Sequence, residues 1–87
     1  MRVEAGVALF EGDLVLDRAT RLLAEAEAAL AGGARVFDLS GVGHMDSSAL
    51  SLMLSLRRRA AGEPLAFRAV PESLLSLAKL YGIADQI

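Results

Sequence analysis

Between residues 44 and 48 the chain sets an imidazole (His44), a carboxylate (Asp46) and two hydroxyls (Ser47 and Ser48) almost side by side, the residue types from which a nucleophile triad is built. Their spacing argues against that chemistry. Triad members converge side chain to side chain from separate elements, whereas neighbours in one loop and one first helical turn diverge, and the Gly-x-Ser-x-Gly turn that presents a hydrolase serine is missing. A metal centre lacks ligands: His44 is the only histidine, there is no cysteine, and no carboxylates cluster around it. Gly41-Val42-Gly43-His44-Met45-Asp46 stands where a dinucleotide fingerprint would lie, but Asp46 replaces its third glycine and would repel a pyrophosphate at that helix start. The expectation is a chain with no catalytic residue, no cofactor and no metal.

Asp46, Ser47 and Ser48 are also the residue types whose side-chain oxygens accept from unpaired amides at a helix start. Capping accounts for one of the three. It leaves unexplained why serine recurs at Ser51 and Ser55, and why no charge appears before Arg57. Ser48, Ser51 and Ser55 fall at i, i+3 and i+7, one narrow face of small side chains, on which the backbone of a partner can come close. Arg57-Arg58-Arg59 reads as a solvated helix end that complements the negative pole of the helix, with an acidic partner patch as the second reading. Lys79 reads as an exposed amine, and Tyr81, by its spacing from Leu74, Leu77 and Ala78, as a ring packed in the core.

Hydrophobic period supplies the elements that position these residues. Residues Arg2 to Ala5 and Val7 to Phe10 read as two short strands around Gly6, followed by a Gly12-Asp13 turn. From Asp17, the expected N-cap, to Leu30, apolar residues recur at helical spacing until Gly32-Gly33 stops them. Arg35 to Leu39 reads as a strand, Gly41 to Met45 as a loop, and Asp46 to Ala61 as a second helix. After Gly62-Glu63-Pro64 come a strand from Leu65 to Ala69 and a third helix, with Pro71 in its first turn and Gly82 at its end. Strands alternating with helices in this order predict an α/β fold with parallel neighbours and helices covering the sheet.

The 87 residues suffice for one domain with one core. Hydrophobic residues make up 54% and charged residues 23%, a balance that excludes the disordered class. Eleven acidic against nine basic residues give a net charge of −2, with one short basic run, so no broad field exists to hold a phosphate backbone and no nucleic-acid ligand is expected. The longest stretch free of charge, Ser47 to Leu56, is far shorter than the roughly 20 apolar residues of a membrane span. No signal peptide opens the sequence, and a cytoplasmic protein is expected, meeting a membrane only through a partner.

Three segments taken in order, Phe37-Asp38-Leu39-Ser40, His44-Met45-Asp46-Ser47-Ser48-Ala49-Leu50 and Leu77-Ala78-Lys79-Leu80-Tyr81-Gly82-Ile83, resemble the STAS family, shared by sulfate transporters and anti-sigma factor antagonists. The last run is similar to the MlaB-type branch, subunits of a phospholipid ABC transporter. The resemblance implies a STAS-like mixed β-sheet with helices packed mainly on one face, and no enzymatic activity. In the transporter branch it implies a cytoplasmic accessory subunit, peripheral to the inner membrane, seated on an MlaF-like ATPase, where the hydroxyl after the aspartate, here Ser47, matters. In the antagonist branch it implies a partner kinase that phosphorylates Ser48, bringing about −1.5 to −2 charges into a close interface. Antagonists usually carry glycine where this chain has Ala49, and the extra methyl is expected to obstruct a kinase loop, which favours the transporter branch. The surface expected to meet the partner comprises His44, Asp46, Ser47, Ser48, Ser51, Ser55, Lys79 and Tyr81.

Overall fold

A computed structural model describes the chain from Met1 to Ile87. It contains strands β1 (Arg2–Glu4), β2 (Val7–Leu14), β3 (Val36–Met45) and β4 (Ala66–Arg68), helices α1 (Leu16–Ala31), α2 (Ser48–Ala60) and α3 (Glu72–Leu80), and a closing 3₁₀ turn, Ala84–Gln86. The strands form one mixed sheet in the order β1-β2-β3-β4, antiparallel between β1 and β2 and parallel thereafter. The α/β fold expected from the alternation of elements is the one observed. The β1–β2 hairpin turns through Ala5 and Gly6, both at positive φ (50° and 80°), a geometry that matches the right-handed twist of the paired strands.

One face of the sheet is the core. Ala8, Phe10 and Leu14 of β2 and Phe37 and Leu39 of β3 alternate into it, against Leu22 and Ala26 of α1 and Leu52, Met53 and Leu56 of α2. The Phe10 and Phe37 rings lie 6.0 Å apart and tilted, and Phe67 of β4 stands 6.3 Å beyond Phe37. The opposite face carries Val7, Leu9, Asp38, Ser40 and Arg68, which line a depression with no helix residue in it, so the helices lie on one side. There Arg68 and Asp38, register partners on β4 and β3, form a hydrogen-bonded ion pair at 2.7 Å.

Two expectations from glycine fail for one reason. Gly12-Asp13 does not end β2, and Gly41 to Met45 is not a loop; both segments extend the β2–β3 ladder, which runs on to Leu14 and Met45 with two register shifts. Gly12, at φ +85°, lets the strand bulge without stopping. A Cβ on Gly41 would stand 2.6 Å from the Phe10 carbonyl oxygen. These glycines therefore mark close backbone approach inside a sheet.

The helix ends depart from expectation in similar detail. Asp17 is not the N-cap of α1; Val15 holds that position without a side-chain hydrogen bond, and Asp17 lies in the first turn, where its charge still favours the helix. Tyr81 is not a core ring but 61% exposed. The spacing would have carried it inward had α3 continued, but Gly82 at φ +72° turns the chain, with Gly82 donating to the Lys79 carbonyl and Ile83 to that of Ala78. In this Schellman turn the residue after the glycine folds back on the helix, so Ile83 packs on the core in place of Tyr81.

Candidate functional site

The start of α2 sits where β3 ends, beside the start of α1. Parallel β2 and β3 finish level with one another, Leu14 opposite Met45, and each then gives way to a helix. The Asp46 amide donates to the Leu14 carbonyl at 3.3 Å, closing the ladder. Its carboxylate faces both helices: Oδ2 accepts the Leu16 amide of α1 at 3.1 Å, and Oδ1 accepts the Ser48 amide of α2 at 2.9 Å together with the Ser48 hydroxyl. Those hydrogen bonds, from the Ser48 hydroxyl first and then from the Leu16 and Ser48 amides, hold the Asp46 carboxyl below its ordinary pKa.

Ser47 and Ser51 are exposed, while Ser48 and Ser55 are half-buried. The opposite side of α2, Ala49, Leu50, Leu52, Met53, Leu56 and Ala60, is buried. All four serines line an open groove of about 400 Å³ between α2 and α1, whose far wall is Leu16, Ala19, Thr20 and Leu23. Leu16 is 72% exposed at its mouth. A second groove on the other flank of α2 is lined by Ser47, Leu50, Ser51, Leu54, Tyr81 and Ile83. Ser47 and Ser51 thus form a low ridge with a groove of mixed polar and apolar lining on either side. The hydroxyl of Ser47 makes no hydrogen bond within the chain, whereas Ser55 accepts from Arg58 at 3.1 Å.

Of the residues singled out in the sequence, Asp46, Ser47, Ser48, Ser51, Ser55 and Tyr81 meet on this surface. His44 and Lys79 are exposed but line neither groove. His44 enters the hydrogen-bond pattern only through its amide, which donates to Asp13 Oδ1 at 2.9 Å, so no imidazole reaches Asp46 or a serine. No three potential metal-ligating side chains converge. The arrangement offers contact surface and hydrogen-bonding hydroxyls, of which Ser48 is bonded to the Asp46 carboxylate.

The model of the family described as "Mlab, STAS domain" matches residues 2–87. The chain belongs to the STAS domain family. No curated protein matches it. STAS domains are in general non-catalytic binding domains with accessory or regulatory roles, in keeping with a surface built from grooves and a ridge. No helix of this STAS domain is long and apolar enough to cross a membrane.

Two readings made from the sequence are corrected here. Ala49 is fully buried on the core side of α2, so its methyl is not exposed to obstruct a kinase loop and gives no ground for preferring one branch of the family. The three arginines are not one solvated helix end. Arg57 is half-buried and donates to the carbonyls of Leu65 (2.7 Å) and Gln86 (3.0 Å), with its guanidinium 5.3 Å from the Phe67 ring centre. Arg59 pairs with Glu27 of α1, which leaves Arg58 as the exposed cation without a carboxylate. Sequence reasoning also missed the α1 wall. Leu16 lies just before the helix expected from Asp17, and nothing in its own neighbourhood signals that it will stand opposite a serine of α2.

Proposed function

We propose that this STAS domain is a non-catalytic accessory subunit that docks on the ATPase of an MlaB-type phospholipid ABC transporter, an MlaF-like partner, and supports its assembly or activity. The observation that carries the reading is that two segments far apart in sequence, the Asp-Ser-Ser helix start and the Leu-Ala-Lys-Leu-Tyr run, border one groove, with Ser47 and Ser51 facing Tyr81. A ridge of small hydroxyl side chains lets a partner helix or loop approach closely, while Leu16, Leu54 and Tyr81 supply flanking area of the kind that anchors an interface. Membrane association would come from the partner, on the cytoplasmic side of the inner membrane.

Co-purification with the MlaF-like ATPase of the same source tests this. Ser51→Arg and Tyr81→Asp should each weaken capture by at least about tenfold with thermal stability unchanged, while Arg2→Ala, on the helix-free face of the sheet, should bind normally. Full binding by both groove variants would refute the assignment. A second reading, an anti-sigma factor antagonist switched at Ser48, keeps its standing because Ala49 points into the core. It predicts a phosphate on Ser48 after incubation with ATP and a cognate anti-sigma kinase, and release of that kinase once the phosphate is in place.

A further inference from the structure

We infer that Asp46 is the positioning residue of the docking groove: a single carboxylate caps both helices that wall it, so that a change of charge at Ser48 is passed to α1. The inference rests on the reading of the groove as a docking surface and names how that surface is held and disturbed.

Each oxygen of Asp46 serves one helix. Oδ2 takes the Leu16 amide, 30 residues away in sequence, and Oδ1 takes the amide and hydroxyl of Ser48. Neither helix has another side-chain cap, since Val15 and Ser47, at the cap positions, make no such bond. The first amides of a helix have no partner within it, so the Leu16 amide depends on a residue of the other segment. The Asp46 backbone is fixed as well, its amide held by the Leu14 carbonyl at the end of the β2–β3 ladder. The carboxylate therefore stands at the junction of two strands and two helices, and Leu16 and Ser48, on facing walls of the groove, are spaced by its two oxygens.

This arrangement cannot be kept if Ser48 gains a negative group. The hydroxyl donor is lost, and a like charge next to the carboxylate disfavours its ionised form. Asp46 then turns from α2, which draws Oδ2 off its line to the Leu16 amide, and its carboxyl takes up a proton at a higher pH than before. An asparagine at position 46 has one acceptor oxygen where aspartate has two, enough for one helix only. The ionisable groups in the adjoining segments are Asp13 on β2, His44 on β3, and Asp17 and Arg18 in the first turn of α1. None of them hydrogen-bonds or pairs with the Asp46 carboxylate, and α2 carries no charge until Arg57.

The test is an amide-proton NMR titration of the isolated full chain from about pH 7 to about pH 2. Leu16 and Ser48 should shift together with one shared midpoint below the ordinary carboxylate value. In Ser48→Glu the Leu16 midpoint should rise by about one pH unit, whereas in Ser48→Ala, which keeps the backbone amide, Leu16 should still titrate. Asp46→Asn should abolish both responses and weaken binding to the MlaF-like ATPase about fivefold, the ratio carried by loss of one helix cap. A Leu16 amide that does not follow Ser48, or one whose midpoint is unmoved in Ser48→Glu, overturns the coupling. Unchanged affinity in Asp46→Asn overturns the positioning role and leaves the docking surface standing. The titration uses no partner, so a failure of the ATPase assignment and a failure of the coupling are read separately.

Discussion

Replacing Arg57 by alanine should cost this domain about 2–3 kcal/mol, far more than the end of a solvated helix would. The guanidinium makes two hydrogen bonds that diverge, to the Leu65 carbonyl just before β4 and to the Gln86 carbonyl in the closing turn, and it also stacks near Phe67. A hydrogen bond from a charged donor contributes about 1.5–3 kcal/mol when desolvated. Arg57 is only half-buried, so about 1 kcal/mol for each bond is the fitting scale, with about 0.5–1 kcal/mol more from the ring. For a chain of this size 1 kcal/mol moves the midpoint of thermal unfolding by roughly 4–8 °C. Circular-dichroism melts at neutral pH should therefore place Arg57→Ala roughly 10–20 °C below the wild type. Arg57→Lys separates this strut from a simple charge effect: lysine keeps the charge near the helix end but cannot fork to two carbonyls, so it should recover less than half of the loss. Arg58→Ala, which gives up one exposed bond to Ser55, should melt within a few degrees of wild type, in line with other surface substitutions of about 0.5 kcal/mol or less. An Arg57→Ala melt within about 3 °C of wild type, or an Arg57→Lys melt indistinguishable from it, would refute the reasoning, because a charge near the helix dipole is worth only about 0.3–1 kcal/mol.

Gly41→Ala should destabilise the fold by more than about 2 kcal/mol in urea titrations, since its Cβ would sit 2.6 Å from the Phe10 carbonyl oxygen and force β2 and β3 apart. Ala61→Gly should stabilise by about 0.5–1 kcal/mol and raise the melting midpoint, because Ala61 closes α2 in the left-handed region at φ 50°, where a Cβ is unfavourable. The Asp38 carboxyl is held at about 2, from an ordinary 3.8, by hydrogen bonds from Ser40 and then by Arg68. Its contribution to stability is thus fully present above pH 3.8 and disappears as the pH falls from there toward 2; the gap between wild type and Asp38→Asn in urea midpoint should shrink over that interval, and a gap that does not depend on pH would count against the pairing.

The outline of the fold was legible because most of it follows from local period. The continuous apolar run Val7 to Phe10, the β-branched and aromatic residues of Arg35 to Leu39, and the 3.6-residue recurrence through Leu22, Leu23, Ala26 and Leu30 each report on a single element. The strand ends were not legible, because glycine has two meanings that a one-dimensional pattern cannot separate. Gly12, Gly41 and Gly43 resemble breakers until the partner strand is in place; then Gly41 and Gly43 are seen to make room for the Phe10 carbonyl and the Asp13 carboxylate, and the strands extend through them. The reversal at Tyr81 has a similar origin. Periodicity extrapolates a helix as though it continued, and the turn at Gly82 places Ile83 where the extrapolation put the ring.

The α2 half of the candidate site could be read from spacing, since serines at i, i+3 and i+7 must share a face and an uncharged helical face must find some other use than solvation. The α1 half could not, because no rule within either helix sets Leu16 against Ser48. That relation is made by the parallel β2–β3 pair, which delivers both helix starts to one edge of the sheet, and by Asp46, which is bonded to each. The same residue looks from the sequence like an ordinary cap for its own helix, and half of that expectation holds. Its other oxygen reaches an amide supplied by a different segment, and only tertiary structure can supply that second donor. Charge and accessibility then follow from placement: the arginine run, uniform in sequence, divides into a strut, a free cation and an ion pair because α2 passes β4, solvent and α1 in turn. The surface proposed to meet another protein is thus composed from positions whose individual signals are weak: the parallel strand pair sets α1 beside the start of α2 on one flank of Ser47 and Ser51, and the turn after α3 brings Tyr81 and Ile83 to the other.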